Sequence, residues 1–150
     1  MCGLVGLYQK EGEALQRIFD GLIQVQHRGQ DAGGICTLQS SKINTHKELG
    51  LISEIFRNID INILKGNIGI GHVRYPTAGT DNVNEAQPFH TTNPINIALA
   101  HNGTLTNSDE IKAKLTKLNF CQFNTNSDSE VLLNLLSYEL FKTNKNEFSN

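Results

Sequence analysis

Cys2 is the residue whose type and place carry the most chemistry in this chain; it lies in the run Met1-Cys2-Gly3-Leu4-Val5-Gly6. Initiator methionine is normally removed when the next side chain is as small as cysteine. The mature chain would then begin with a thiol and a free α-amine on one residue. Thiolate is the attacking form, and a free cysteine titrates at about 8.5. An α-amine titrates at about 7.7–8.0, so near neutrality part of it is unprotonated and can take the thiol proton without a histidine partner. The alternative is a packing role: Leu4, Val5 and Leu7 form an apolar run, and free cysteine is often buried.

Four further polar clusters fall at expected strand ends or loops: Arg28-Gly29-Gln30-Asp31, His72-Val73-Arg74-Tyr75-Pro76-Thr77, His101-Asn102-Gly103 and Ser127-Asp128. Rigid scaffolds commonly hold reactive groups at such places. Asn102-Gly103 could aim a side-chain amide and a backbone N–H at a tetrahedral oxyanion, where losing one donor costs about 2.7–4 kcal/mol of barrier lowering; alternatively it is an ordinary turn. The Arg74 guanidinium suits bidentate capture of a carboxylate, or it is a snorkelling or ion-paired arginine. Asp128 could accept an ammonium, although an acid in a first helical turn is favourable anyway by roughly 0.3–1 kcal/mol.

These residues must be held by elements that the sequence outlines. A short apolar run with β-branched Val5 predicts a strand over residues 3–8. Leu15, Ile18, Phe19, Leu22 and Val25 follow the 3.6-residue period, predicting a helix over 14–26 closed by a basic last turn and a Gly29 cap. Residues 33–38 and 43–48 form a strand pair, 51–64 one or two short helical turns, and 68–75 a strand. Alternation along that strand puts His72 and Arg74 on one face with Ile68 and Ile70. A buried strand over 95–101 runs into Asn102-Gly103, a pair that readily takes positive φ. Helices follow over 108–118 and 128–141, the second opened by a Ser127/Glu130 capping box. The polar tail from 142 onward is expected to fray. Strands grouped with helices indicate an α+β fold of antiparallel sheet layered with helices, with few strands left to cover the last helix.

The 150 residues carry a net charge of −2 with no block of like charge, which offers no attraction to phosphate backbones or anionic lipid and argues against nucleic-acid and membrane partners. No run approaches the ~20 apolar residues that span a bilayer, and the N-terminus lacks a basic flank followed by a long apolar stretch, so a cytoplasmic protein is expected. Cys2, Cys36 and Cys121 are too widely spaced for a disulfide framework or a paired zinc site, and the five histidines have no metal-ligand spacing. No metal site is expected within this chain.

Together, Met1-Cys2-Gly3-Leu4-Val5-Gly6, Gln26-His27-Arg28-Gly29-Gln30-Asp31, Gly69-Ile70-Gly71-His72-Val73-Arg74-Tyr75-Pro76-Thr77-Ala78-Gly79, Ala86-Gln87-Pro88-Phe89, Leu99-Ala100-His101-Asn102-Gly103 and Ser127-Asp128-Ser129-Glu130 resemble the N-terminal glutaminase domain of the amidophosphoribosyltransferase family. These enzymes make phosphoribosylamine in the first committed step of purine synthesis. The resemblance runs in family order over nearly the whole chain. Glucosamine-6-phosphate synthase, a related class II amidotransferase, differs at the second and third motifs, where Gln30 and Tyr75-Pro76-Thr77-Ala78-Gly79 favour the purine enzyme. A non-catalytic relic that only binds glutamine is a further alternative.

The resemblance implies an N-terminal nucleophile hydrolase fold, a four-layer α/β/β/α sandwich, of which residues 2–150 would be the front portion of a type 2 glutamine amidotransferase domain. It implies glutamine as substrate and Cys2 as nucleophile, with Asn102 and Gly103 forming the oxyanion hole. Arg74 would bind the α-carboxylate and Asp128 the α-ammonium. Thr77 would join the substrate-binding residues, and Arg28 would position the cysteine. No paired aspartates follow an apolar strand here, so phosphoribosyl pyrophosphate and its magnesium are expected only in a phosphoribosyltransferase domain absent from this chain, in a full-length homo-oligomer. Gly33, Thr104 and Asn126 stand where the family commonly has alanine, asparagine and threonine; none of these differences removes a catalytic group.

Overall fold

The computed structural model describes residues 1–75 and 82–147. Its frame is a four-stranded antiparallel sheet in the order β1-β4-β2-β3, built from β1 (Gly3–Tyr8), β2 (Ala32–Gln39), β3 (Lys42–Leu49) and β4 (Ile68–Arg74). Ser40 and Ser41, with φ of 46° and 70°, make the two-residue connection of the β2–β3 hairpin, as the right-handed twist of paired strands requires.

Helix α1 (Leu15–Val25) lays Ile18 and Leu22, both fully buried, on one face of this sheet with Ile35, Leu64 and Val73. Burying each such side chain contributes about 1.5–3 kcal/mol. The short helix α2 (Ile52–Ile55) adds Ile52 to the same cluster, and a 3₁₀ turn follows at Ile61–Leu64. The opposite face carries Ile68, Ile70, His72 and Arg74 of β4, as the two-residue alternation requires. A second, two-stranded sheet, β5 (Phe89–Thr91) with β6 (Ile97–Leu99), lies on that side, and Ile68, Ile70 and Ala98 line a cavity between the layers. Helix α4 (Asp128–Glu147) packs on β5 and β6, and α3 (Ser108–Lys117) packs on α4. The order of layers is helix, sheet, sheet, helix. On the outer helix, Leu136 and Leu140 remain 40% exposed.

Several expected features differ in detail. After Val25 the chain tightens into a 3₁₀ turn over Gln26–Arg28, and Gly29 is extended at φ −165°, so it is no left-handed cap. Neither Asn102 nor Gly103 takes positive φ. The strand expected over 95–101 is confined to Ile97–Leu99, because its partner β5 is itself only three residues long. The Ser127 hydroxyl does cap α4, accepting the Ser129 N–H, but Glu130 does not reach back to Ser127. Its carboxylate accepts the N–H groups of Asn124 and Thr125 and the Thr125 hydroxyl instead. Helix α4 also continues to Glu147 where a frayed tail was expected: once a helix is nucleated, each added residue gains a bond at little cost, and Lys142 pairs with Glu139 along its side.

Candidate active site

The sheet register decides where the chemistry gathers. Gly3 of β1 pairs with Val73 of β4, so the start of the first strand lies beside the end of the fourth. Cys2 is therefore next to Arg74 and Tyr75, and its Sγ accepts the Tyr75 N–H at 3.4 Å. The turn after α1 brings in Arg28, whose Nε donates to the Cys2 carbonyl at 2.9 Å. Gly29 makes this approach feasible, since any Cβ there would strike the Arg74 carbonyl group. Asn102, following β6, donates through Nδ2 to the same Cys2 carbonyl at 3.1 Å. Cys2, Arg28, Arg74, Asn102, Gly103 and Asp128 line one cavity of about 580 Å³, whose rim includes Met1, 83% exposed. Thr77 lies outside the described residues.

The Asn102 segment is braced from below. The Gln87 side chain accepts the His101 N–H at 2.7 Å and donates to the His101 carbonyl at 3.2 Å and to Ser129 Oγ at 3.1 Å. It thus bonds to His101 as a neighbouring strand would, and joins that segment to the start of α4. Asp128, in the first turn of α4, accepts the Leu105 N–H at 2.7 Å and the Ser129 hydroxyl at 3.3 Å. A carboxylate has about four lone-pair positions, so it retains acceptor capacity toward the cavity it lines.

Of the two roles weighed from sequence for Arg74, the structure shows the ion-paired one. Arg74 lines the cavity, yet at 7% exposure its guanidinium is ion-paired, with Nη2 3.1 Å from Glu85 Oε2 and Nη1 3.7 Å from Asp31 Oδ2. A buried cation requires such compensation. The cavity wall therefore holds cations and carboxylates close together, a lining suited to a small zwitterion. Lys47 secures the Glu85 segment by donating to the carbonyls of Ala86 at 2.6 Å and Asn84 at 3.3 Å.

Neither of the other two thiols lines this cavity. Burial pushes the Cys36 thiol up, and burial followed by the Glu130 charge pushes Cys121 up, which keeps both protonated and poorly nucleophilic. Among the described residues, no cluster of three or more His, Cys, Asp or Glu could hold a metal, and no helix is long and apolar enough to cross a membrane.

His72, Gln87 and Asp31 were visible in the motifs without an assigned role, whereas Glu85 lies just ahead of Ala86-Gln87-Pro88-Phe89 and outside them. His72 is fully buried, and burial, assisted by the charges of Arg74 and His101, lowers its pKa to about 4 against its hydrogen bond to Asn102. The unfolded chain therefore binds this proton more readily than the folded one. Stability is complete above pH 6.5 and falls as the pH drops from there toward 4, by about 3 kcal/mol at 1.36 kcal/mol per unit. Urea midpoints measured across this range should show the fall, and His72→Gln should flatten it; an equally steep fall in that variant would assign it to other groups.

A family model described as a glutamine amidotransferase domain matches residues 72–149, and the chain belongs to that family. Among curated relatives, the amidophosphoribosyltransferase of Pasteurella multocida is 49% identical over 141 residues, covering 93% of this chain and 28% of the relative. That of Pseudomonas aeruginosa is 46% identical over 145 residues, covering 97% of this chain and 29% of the relative. Among solved structures, the glutamine phosphoribosylpyrophosphate amidotransferase from B. subtilis, complexed with ADP and GMP, superimposes with a TM-score of 0.76 at 39% identity over 90% of this chain and 29% of that one. The chain thus spans less than a third of the length of these relatives. Its α+β architecture is a partial N-terminal nucleophile hydrolase sandwich.

Proposed function

We propose that this chain is the glutaminase portion of an amidophosphoribosyltransferase and hydrolyses glutamine through a thioester on Cys2. The single observation that carries the reading is the convergence of Cys2, Arg28, Arg74, Asn102, Gly103 and Asp128, from five separate segments, on one cavity. Removal of Met1 frees the Cys2 α-amine, which takes the thiol proton. Sγ attacks the side-chain amide carbon of glutamine, and the oxyanion so formed accepts hydrogen bonds from Asn102 Nδ2 and the Gly103 N–H. The resulting α-ammonium returns the proton to the departing ammonia, leaving a γ-glutamyl thioester that water hydrolyses to glutamate. Arg74 receives the α-carboxylate of glutamine, Asp128 its α-ammonium, and Thr77 joins them on the substrate. Arg28 fixes the Cys2 backbone.

In the whole protein, the ammonia would pass to a phosphoribosyltransferase domain that binds phosphoribosyl pyrophosphate with magnesium, within a cytoplasmic homo-oligomer. The chain's own part is testable by separating Met1-free from Met1-bearing protein, verified by intact mass, and assaying glutamate and ammonia release. Equimolar release by the Met1-free form, with at least about a 100-fold drop when Met1 occupies the amine, is expected. Equal rates in the two forms would refute a terminal amine as base. Glutamine binding without release by folded Met1-free protein would indicate a relic.

A further inference from the structure

We infer that His72 is a positioning residue that fixes which end of the Asn102 amide is presented to the reacting glutamine. Its Nε2 lies 2.9 Å from Asn102 Oδ1, while Asn102 Nδ2 donates to the Cys2 carbonyl at 3.1 Å. A carbonyl oxygen can only accept, so the group facing Cys2 must be the amide NH₂ and the group facing His72 must be the amide oxygen. His72 must then carry its proton on Nε2 and leave Nδ1 bare. Nδ1 has no hydrogen-bond partner among the described residues, and burial beside Arg74 and His101 keeps the ring neutral. A second proton at Nδ1 would be a buried donor without an acceptor.

The inference rests on the glutaminase reading for its catalytic consequence, but its geometry stands apart from it. Asn102 is exposed to the cavity, whereas His72 is fully buried at the end of β4. An exposed asparagine amide can exchange its oxygen and nitrogen ends by rotating half a turn. If it rotated, an oxygen would face the developing oxyanion where a donor is required. The His72 N–H selects the productive orientation before substrate arrives, so the donor needs no reorientation during reaction.

The test compares the Met1-free protein with His72→Gln, which keeps an N–H donor near the Nε2 position, and His72→Leu, which removes it. Glutamine hydrolysis by His72→Leu should show kcat about 100-fold lower with KM within threefold, and His72→Gln should recover most of the loss. A rise in KM at unchanged kcat, or no recovery by glutamine, would overturn the positioning role. The second readout is ¹⁵N NMR of the unmodified protein. It should give His72 as the Nε2–H tautomer from pH 5 to 8, with an Asn102 amide pair distinct from solvent-exposed asparagines. An Nδ1–H tautomer would overturn the inference even if His72→Leu fails to fold. Inactive unmodified protein with the expected NMR pattern would sink the glutaminase reading and leave the His72–Asn102 pairing standing.

Discussion

Cys2→Ala will reduce glutamine hydrolysis by the Met1-free chain to a small residual rate while leaving the fold in place. Alanine is also small enough for Met1 to be removed, so the variant keeps the terminal amine, the cavity and the oxyanion donors and loses the sulfur alone. Oxyanion stabilisation and binding without a nucleophile retain only a residue of catalysis in comparable hydrolases. Stability should change by less than ~1 kcal/mol, because Cys2 is only partly buried and, among the described residues, its Sγ accepts a single hydrogen bond, from the Tyr75 N–H. Glutamate release and a urea melt on the same sample check both halves. Retention of more than a few per cent of the activity would remove Cys2 from the chemistry, whatever its place in the cavity.

Arg74→Leu should have the second large effect, felt in both binding and stability. The guanidinium stands between Glu85 and Asp31, and Asp31 Oδ2 has no hydrogen-bond donor among the described residues. Leucine would leave two poorly hydrated carboxylates facing each other. Removing one partner of a buried ion pair costs about 3–5 kcal/mol, a large share of the 5–15 kcal/mol that holds a typical domain together. Neutralising a neighbour in the same molecule, as Arg74→Leu with Glu85→Gln, should recover part of that loss. Where the variant remains folded at low temperature, KM for glutamine should rise at least tenfold, because a bidentate carboxylate partner is gone. Urea denaturation and initial-rate kinetics separate the two effects. An unchanged denaturation midpoint would contradict the ion-pair account, and an unchanged KM would contradict the carboxylate role.

Local signals carried much of this arrangement. The apolar period of α1 and the alternation along β4 each reflect forces within a few residues, and each element lies close to its expected bounds. The candidate residues stood out because they are polar groups clustered at the ends of apolar strands or in the loops beside them. What escaped is non-local. Asp31 and Glu85 come from different segments, and only the tertiary fold places both beside Arg74. Gln87 looked like part of a motif, and its bonds to His101 exist because the segment ahead of β5 lies alongside the one following β6. Strand β5, three residues long, is too short for alternation to register. Glu130 had the spacing of a capping residue, yet the Asn124–Thr125 backbone offered its carboxylate more donors than Ser127 could.

The proposal depends most on a covalent bond between Cys2 and the γ-glutamyl group. Mixing Met1-free protein with glutamine, quenching in acid within a turnover and mapping the peptides by mass spectrometry would detect it directly. The account predicts a γ-glutamyl mass on the peptide beginning at Cys2, lost on treatment with hydroxylamine and absent from Cys2→Ala. An active enzyme with no adduct there, or with the adduct on Cys36 or Cys121, would contradict it.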